Sequence, residues 1–335
     1  MADVSVIKKL SGYDLSGYSL TGSDLSGAQL KNAKLRGANL AGADLSRADL
    51  TEADLTGADL SGADLYQVKL AGAKLNGANF VHCDATSGDF REAELSAVNF
   101  QNAKLADTNF KGAQLSGAIF VECDLSGANL SEAKLVGVNF EQANLNRANL
   151  ENSKLFGAKF NKANIRNANL RSADLTAGKL RRADIQDSDF VNAKLMRADL
   201  SNAKLMNANF ESAILRASSL SGANLKNAKF DAANLSNSRM TRADFSHASF
   251  QESDLWASRT SGSVFSKSNL TATNLTATGL NKNFALSEFP DITHSDLTCW
   301  DDANYRRHKV SSSHAQTIEK EAAKRSFFSR IFLRR

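Results

Sequence analysis

Leucine or phenylalanine recurs at every fifth position of the chain from residue 10 to residue 280, with no insertion or deletion. Of these 55 positions, 37 carry Leu and 13 carry Phe, three more carry Ile or Met, and only Ala85 and Thr260 depart from the pattern. Two residues before nearly every one of these positions stands a small residue, usually Ala, and the residue between the two is polar in most units. The repeating unit is therefore small–polar–Leu/Phe, followed by two variable positions.

A period of five matches neither an α-helix, which repeats every 3.6 residues, nor a long strand, which alternates every two. It matches a chain that runs briefly extended, turns a corner and repeats. In the extended part, residues two apart point the same way, so the small residue and the Leu or Phe face inward and the polar residue faces outward. Four such sides close a coil of about 20 residues, and coils stack at the spacing of paired strands, roughly 4.8 Å. The pattern predicts an all-β fold, a quadrilateral parallel β-helix of about 13–14 coils.

The units that carry this pattern, such as Ala43-Asp44-Leu45 and Ala148-Asn149-Leu150, resemble those of the pentapeptide-repeat family. The resemblance extends over residues 10–280, about four-fifths of the chain. It implies the fold of that family, a right-handed quadrilateral β-helix. It implies less about function, because the repeated residues are those that build the coil. The resemblance does imply one possible function, because some family members mimic DNA and protect or inhibit type II topoisomerase.

The two ends of the chain depart from the repeat. An open β-helix exposes an unpaired edge at each end unless it is capped. Tyr13 and Tyr18 occupy small-residue positions, so residues 1–20 are expected to form a cap or an irregular first coil that overlaps the repeat at 10–280. The last coils, where Ser and Thr replace Ala, are expected to be less regular. Residues 281–305 are expected to cap the C-terminal end, and 306–335 to form a basic and aromatic tail, helical or mobile.

Phenylalanine follows a second period, of 20 residues. One series is expected to stack on one interior face, and it comprises Phe80, Phe100, Phe120, Phe140 and Phe160. The opposite face receives Phe90, Phe110, Phe190, Phe210, Phe230 and Phe250. Because Phe on opposite sides of one coil should widen it, a change of turn type or a distorted coil is expected around residues 80–120.

Charge is distributed unevenly along the chain, whose formal net charge is +5. Residues 147–242 carry 17 basic and 8 acidic side chains, whereas residues 1–65 carry 6 and 9. One side of the coil has an outward acidic ladder of Asp24, Asp44, Asp64, Asp84, Asp124, Asp184 and Asp244. The opposite side carries Lys34, Lys74, Lys134, Lys154 and Lys194. The ladders are interpreted either as two docking faces or as the ordinary preference for Asp and Asn beside a turn.

The C-terminal tail combines aromatic and basic side chains. On a helix, its apolar residues would share one stripe, which could insert at an anionic membrane surface or dock in a groove of a partner. The candidate contact residues are Phe327, Phe328, Arg330, Ile331, Phe332, Arg334 and Arg335. Folding back onto the rod, disorder, and self-association into a homodimer through the C-terminal end are the alternatives.

The sequence carries no motif for catalysis. It has no phosphate-binding Gly loop, no nucleophile elbow and no two-His spacing for zinc, so neither an enzyme nor a cofactor nor a bound metal is expected. Cys83 and Cys123 occupy interior small-residue positions two coils apart, beyond the reach of a disulfide, and Cys299 has no metal or redox spacing to them. We therefore interpret Cys83 and Cys123 as small core residues.

These observations favour a non-enzymatic scaffold that binds a protein partner of unknown identity. Such a scaffold could be an effector or an adaptor that its C-terminal tail targets to a site in the cell. One alternative is a DNA-mimic modulator of gyrase that confers drug protection, which the basic middle of the rod opposes. A second is nucleic-acid binding through that basic middle, which is disfavoured because no exposed aromatic residues are expected among the basic ones. No secretory signal or membrane span is recognised, so a cytoplasmic location is expected, with peripheral membrane association or delivery as a secreted effector as alternatives.

Overall fold

Every unit of the repeat has the same backbone in the computed structural model, which describes residues 8–278. The unit bends over its two variable residues. In the bend, the N–H of the small residue donates to the carbonyl of the preceding Leu or Phe, as Ala28 does to Leu25 at 3.0 Å. The second variable residue has a positive φ in each unit from Gly12 to Ala277, between 54° and 74°. These are the features of a type II β-turn.

Most residues at this second turn position are not glycine, although the left-handed region favours glycine. Asn, Arg and Glu hold the same φ, as in Asn32 and Arg47, both at 58°. A single non-Gly residue in this region costs about 1 kcal/mol or more. The packed coil therefore fixes the turn, and the identity of the turn residue leaves the backbone unchanged.

The extended part of each unit pairs with the equivalent part of the next coil. The outward polar residue forms a parallel bridge with the residue 20 positions later, from Lys9 with Gln29 to Asp254 with Asn274. Main-chain hydrogen bonds at 2.6–3.2 Å flank these bridges. Four sides make one coil, so residues 8–278 form 13–14 coils, built from single-residue bridges with no helix in this range. The predicted all-β quadrilateral parallel β-helix is confirmed.

The interior is filled by the two inward residues of each unit. The Leu, Phe and Ala side chains from Leu25 onward are 0–2 % exposed over nearly the whole rod. Cys83 and Cys123 are buried among them as free thiols, as predicted from their positions. Burial raises the pKa of the Cys123 thiol to about 12 and raises that of Cys83 as well. Both side chains are therefore uncharged core residues at neutral pH.

Phenylalanine rings form interior stacks along the rod axis, as predicted. Successive rings of one series are stacked with centroids 4.7–5.1 Å apart, and Phe80 meets Phe90 of the opposite face edge-on at 6.2 Å. A further stack, Phe245 on Phe265 at 4.9 Å, lies on a third side of the coil.

The expected change of turn type around residues 80–120 is wrong. The turn residues in this range keep φ values of 56–70°, like the rest of the rod. Room for the rings comes from neighbouring side chains, since Ala85 replaces Leu between Phe80 and Phe90, and Gly88 replaces Ala beside Phe90. Small residues, together with the edge-on contacts between opposite rings, accommodate the phenylalanines without altering the backbone.

The backbone is regular at both ends of the described range. From Lys8 onward the first coil has the same turns and bridges as the others, and the side chains of Tyr13 and Tyr18 are exposed. The last coils also keep the turn, so the expectation of lower regularity there is wrong as far as residue 278. Ser253 and Thr273 donate their hydroxyls to the carbonyl of Phe250 at 2.7 Å, which lets a polar side chain replace Ala inside the rod. Residues 1–7 and the predicted C-terminal cap at 281–305 lie outside the described residues.

Candidate interaction surface

The surface of the rod consists of the outward polar residue and the two turn residues of each unit. Because bridges join residues 20 positions apart, each outward position forms a straight ladder along one side, with rungs about 4.8 Å apart. A substitution at one of these positions therefore changes the surface without changing the coil. The surface, and not the interior, is where this chain can differ from another rod of the same fold.

The structure stacks the predicted acidic ladder on one side. Asp24, Asp44, Asp64 and Asp84 are joined by consecutive bridges, and Lys104 follows and pairs with Asp84 at 3.2 Å. Six of the seven carboxylates, all except that of Asp184, accept the main-chain N–H two residues later at 2.9–3.1 Å. These bonds brace the turn. The ladder thus has a structural role, and a docking role for it remains a prediction.

Acidification is expected to destabilise the rod between about pH 4 and pH 2. Hydrogen bonds from Ser26 lower the pKa of Asp24 to about 2. At Asp84, burial raises the pKa, but hydrogen bonds from Thr86 and Lys104 outweigh the effect of burial, so the pKa is lowered overall. Carboxylates depressed in this way stabilise the fold above the unfolded pKa of about 3.9, and the contribution is lost as pH falls through the folded value. Thermal melting at pH 7, 4 and 2.5 measures the loss.

Replacing Asp84 and Asp244 by Asn provides the control for the acid effect. Asn accepts the same turn hydrogen bond, as Asn129 does from Ser131 at 3.1 Å, but it does not titrate in this range. The double variant should therefore lose less melting temperature on acidification than the unmodified chain. An equal loss in both proteins would assign acid sensitivity to other groups.

A second side of the rod concentrates unpaired positive charge. We call it the arginine face, meaning the outward ladder from residue 159 to residue 259 together with the turns on both of its borders. Its basic side chains are all exposed, and they are Lys159, Lys162, Lys179, Arg181, Arg182, Arg197, Arg216, Arg239, Arg242 and Arg259. Of the eight acidic residues between 147 and 242, only Asp199 lies on it. The basic stretch of the sequence is thus focused on one side of the rod.

The cations of the arginine face lack acidic partners. Arg181 pairs with Asp199 at 3.7 Å, and the other nine form no ion pair within residues 8–278. On other sides, some basic residues pair, as Arg171 does with Asp189 at 2.7 Å and Lys204 with Asp184 at 3.5 Å, whereas Lys134, Lys154 and Lys194 form no ion pair within residues 8–278. Like charges at this spacing repel one another and lower stability slightly. An anionic partner would remove that repulsion.

The centre of the arginine face is an open depression of about 580 Å³, lined by four arginines and by hydroxyl groups. Ser201 and Ser219 are hydrogen-bonded at 2.9 Å, and Thr241 donates to Ser221 at 3.1 Å in the same row. Arginine guanidinium groups can each offer several N–H donors in one plane, which suits carboxylate and phosphate oxygens. The depression is therefore chemically complementary to anionic groups.

Exposed apolar side chains run along one border of the arginine face. We call this row the apolar edge, and it comprises Val136, Phe156, Met196 and Trp256, which are 36–53 % exposed. They occupy equivalent turn positions, separated by multiples of 20 residues. The expectation that no exposed aromatic side chain accompanies the basic residues is therefore wrong. The turn positions point outward, so the coil does not bury a large side chain placed there.

Sequence reasoning found the basic stretch but not the arginine face or its apolar edge. The signal was present, because both appear when residues 136–259 are sorted by their position within the 20-residue coil and the two border turns are included with the ladder. The predicted tail residues from Phe327 to Arg335 lie outside the described residues. Within residues 8–278 there is no cluster of His, Cys, Asp and Glu that could hold a metal ion, and no helix long and apolar enough to cross a membrane.

Two family models match the chain over most of the rod. One, described as pentapeptide repeats (8 copies), matches residues 9–37, 29–67 and 63–102, and the other, described as a pentapeptide repeat region, matches residues 93–170 and 163–240. The chain belongs to the pentapeptide-repeat family. Pentapeptide-repeat proteins fold as right-handed quadrilateral β-helices, which also confirms the predicted handedness.

Solved structures of other pentapeptide-repeat proteins resemble the chain. HetL from the cyanobacterium Nostoc sp. strain PCC 7120, involved in heterocyst differentiation regulation, is 28% identical, with 67% of this chain and 88% of HetL covered and a TM-score of 0.25. A protein from the thylakoid lumen of Arabidopsis thaliana is 32% identical over 35% of this chain and 71% of its own, with a TM-score of 0.25. Full-length QnrB1, a plasmid-mediated fluoroquinolone resistance protein, is 19% identical over 64% and 95%, with a TM-score of 0.24. A comparison with curated protein sequences finds no significant match.

Proposed function

We propose that this pentapeptide-repeat protein is a non-enzymatic scaffold that binds a protein partner against its arginine face. The observation that supports this most is the concentration of nine unpaired cations beside an exposed apolar edge. Arg, Trp, Phe and Met are the residue types enriched in protein interfaces, whereas Lys, Glu and Asp are depleted there. Seven of the ten cations of the face are Arg. Its composition is therefore that of an interface.

The geometry of the rod supports binding rather than catalysis. The interior is closed by Leu, Phe and Ala, so chemistry would have to take place on the outer surface, where the depression of the arginine face is open to water. Enzyme sites are concave and exclude water, since this strengthens electrostatic interactions with the reacting groups. A broad face on a rod held by regular inter-coil hydrogen bonds suits a macromolecular partner, because little conformational entropy is lost by the rod when the complex forms.

Affinity capture, followed by binding measurements between purified proteins, tests the scaffold function. The full-length chain and its Arg197→Glu/Arg239→Glu/Arg259→Glu variant are used as baits, and each candidate partner is then purified and titrated by isothermal calorimetry. We expect at least one partner to form a stoichiometric complex with the unmodified chain. Failure of every captured protein to bind the purified chain would contradict the proposal.

A second candidate function, modulation of a type II topoisomerase by DNA mimicry, is favoured by one coil near the N-terminus. There the outward residues on all four sides are acidic, namely Asp44, Asp49, Asp54 and Asp59, and Asp64 follows Asp44 in the next coil. The arginine face opposes this function over the other half of the rod, because a DNA mimic must present negative charge along its length. A DNA supercoiling assay with gyrase distinguishes the two functions. Inhibition, or protection from a fluoroquinolone, would support the mimic, and the absence of both would remove it.

A further inference from the structure

The arginine face and the apolar edge are two straight, parallel stripes on one side of the rod. The basic ladder runs from Lys159 to Arg259 over five coil spacings, about 24 Å. The apolar edge lies beside it between Val136 and Trp256, and Thr176, Arg216 and Ser236 occupy the remaining positions of its row. Because both stripes follow residues 20 positions apart, the rod keeps them parallel and in register. A partner that binds both must itself carry an acidic and an apolar stripe side by side.

We propose that the arginine face binds an acidic amphipathic α-helix of a protein partner, which rests on the scaffold function proposed above. Such a helix carries stripes of side chains along its axis at i, i+3, i+4 and i+7. At 1.5 Å per residue, a helix of about 16 residues spans the 24 Å of the basic ladder. Its carboxylates meet the arginines and its apolar stripe packs on the edge.

The details of the surface favour a helix over other anionic partners. Phe156 and Trp256 could each stack on a nucleic-acid base, but they lie five coil spacings apart, and Val136 and Met196 cannot stack in this way, so the apolar edge is not a continuous platform for bases. A helix lying along the border reaches both stripes at once.

Asp199 gives the face a position at which a partner cation is favoured. Its carboxylate pairs with Arg181 at 3.7 Å and accepts the N–H of Ser201 at 3.0 Å. It is the one acid within the arginine face. A helix with a single Lys or Arg opposite this position would be held in one register along the ladder, since one charge of opposite sign among many fixes alignment.

Fluorescence anisotropy with a designed peptide tests the inference on the full-length chain. The probe is a labelled 20-residue helical peptide with one Glu stripe and one Leu stripe, and the comparison peptides carry Lys in place of Glu or the same residues in scrambled order. We expect the acidic amphipathic peptide to bind at least about tenfold more tightly than either comparison peptide. Equal binding of the scrambled peptide would overturn the inference, because charge alone would then account for it.

Variants with matched controls locate the binding site. Arg197→Glu/Arg239→Glu/Arg259→Glu is expected to weaken peptide binding at least about tenfold, and Phe156→Ala/Trp256→Ala about fivefold. The control for charge is a triple reversal on the opposite side, Lys9→Glu/Lys69→Glu/Lys229→Glu, whose side chains are exposed, and the control for aromatic loss is Tyr66→Ala. Both controls are expected to change binding less than twofold. A loss as large in the controls would overturn the assignment to the arginine face.

Two other probes test the competing occupants. A labelled 20-base-pair DNA duplex and vesicles with or without phosphatidylserine are titrated at the same ionic strength. If either binds more tightly than the acidic peptide and responds to the arginine reversals, the occupant is nucleic acid or membrane and the helix assignment is wrong. If a purified protein partner binds the chain but is insensitive to the reversals, protein binding by the rod stands, whereas its assignment to the arginine face and the helix inference both fail. If the peptide binds as expected but no purified partner does, the scaffold function fails.

Discussion

Replacing Phe100 by Ala is expected to lower the free energy of unfolding by about 3–5 kcal/mol. The Phe100 ring is fully buried, stacked between Phe80 at 4.7 Å and Phe120 at 4.9 Å, and edge-on to Phe90 and Phe110 at 6.0 and 5.9 Å. Its removal deletes four ring contacts and leaves a cavity in a rod whose backbone is fixed by bridges on both sides. Urea denaturation followed by circular dichroism measures the loss.

The solvent-exposed Phe156 provides the matched control for this prediction. The same substitution, Phe156→Ala, removes a side chain that is 53 % exposed and is expected to change stability by less than about 0.5 kcal/mol. It should instead weaken partner binding. Similar destabilisation by the two substitutions would show that the rings at positions 100 and 156 do not differ in packing as the structure indicates.

The repeat architecture adds an expectation about where the destabilisation is felt. Each coil contacts only its neighbours, so the effect of a cavity is greatest in adjacent coils. Amide hydrogen exchange should therefore rise most in residues 80–120 of the Phe100→Ala variant and little beyond residue 200. Uniform acceleration along the rod would indicate that it unfolds as one cooperative unit.

The fold was predictable from the sequence because one rule governs both the pattern and the structure. Inward residues two apart, a turn and a return after 20 residues follow from the five-residue register, and the structure keeps this register from Lys8 to Thr278. The phenylalanine stacks followed from the same arithmetic. The prediction failed where it considered phenylalanine alone. The rings around residues 80–120 were expected to distort the turn, because the smaller neighbours Ala85 and Gly88 were not considered.

The interaction surface was harder to predict because no rule of folding constrains it. Turn residues such as Phe156 and Trp256 occupy variable positions, and their role depends on which other side chains share that side of the rod. Along the sequence, the charged residues of 147–242 fall on all four sides of the coil in turn. Most of the acidic residues among them lie away from the arginine face. Asp199 separates from the other carboxylates only when the residues are sorted by their position within the 20-residue coil.

Restoring leucine at position 85 is expected to destabilise the rod by about 1–3 kcal/mol, although it restores the repeat. Ala85 is fully buried in the coil where Phe80 and Phe90 meet with centroids 6.2 Å apart. Space there is already limited, because a Cβ added at Gly88 would lie 3.0 Å from the ring of Phe90 and 3.3 Å from Val68. Thermal melting of Ala85→Leu measures the effect.

Thr260, the other departure from the Leu/Phe rule, is expected to respond in the opposite direction. Its hydroxyl is buried without a hydrogen-bond partner within residues 8–278, and Thr260→Val replaces it by a methyl group of nearly the same shape. Removal of the desolvation cost of that hydroxyl should stabilise the rod by about 1 kcal/mol. Stabilisation by Ala85→Leu would mean that the coil at position 85 has room for a larger side chain, and no stabilisation by Thr260→Val would mean that the buried hydroxyl carries no net cost. Opposite signs would show that Ala85 is required by the phenylalanine stacks, whereas Thr260 is an unsatisfied polar group in the same kind of position.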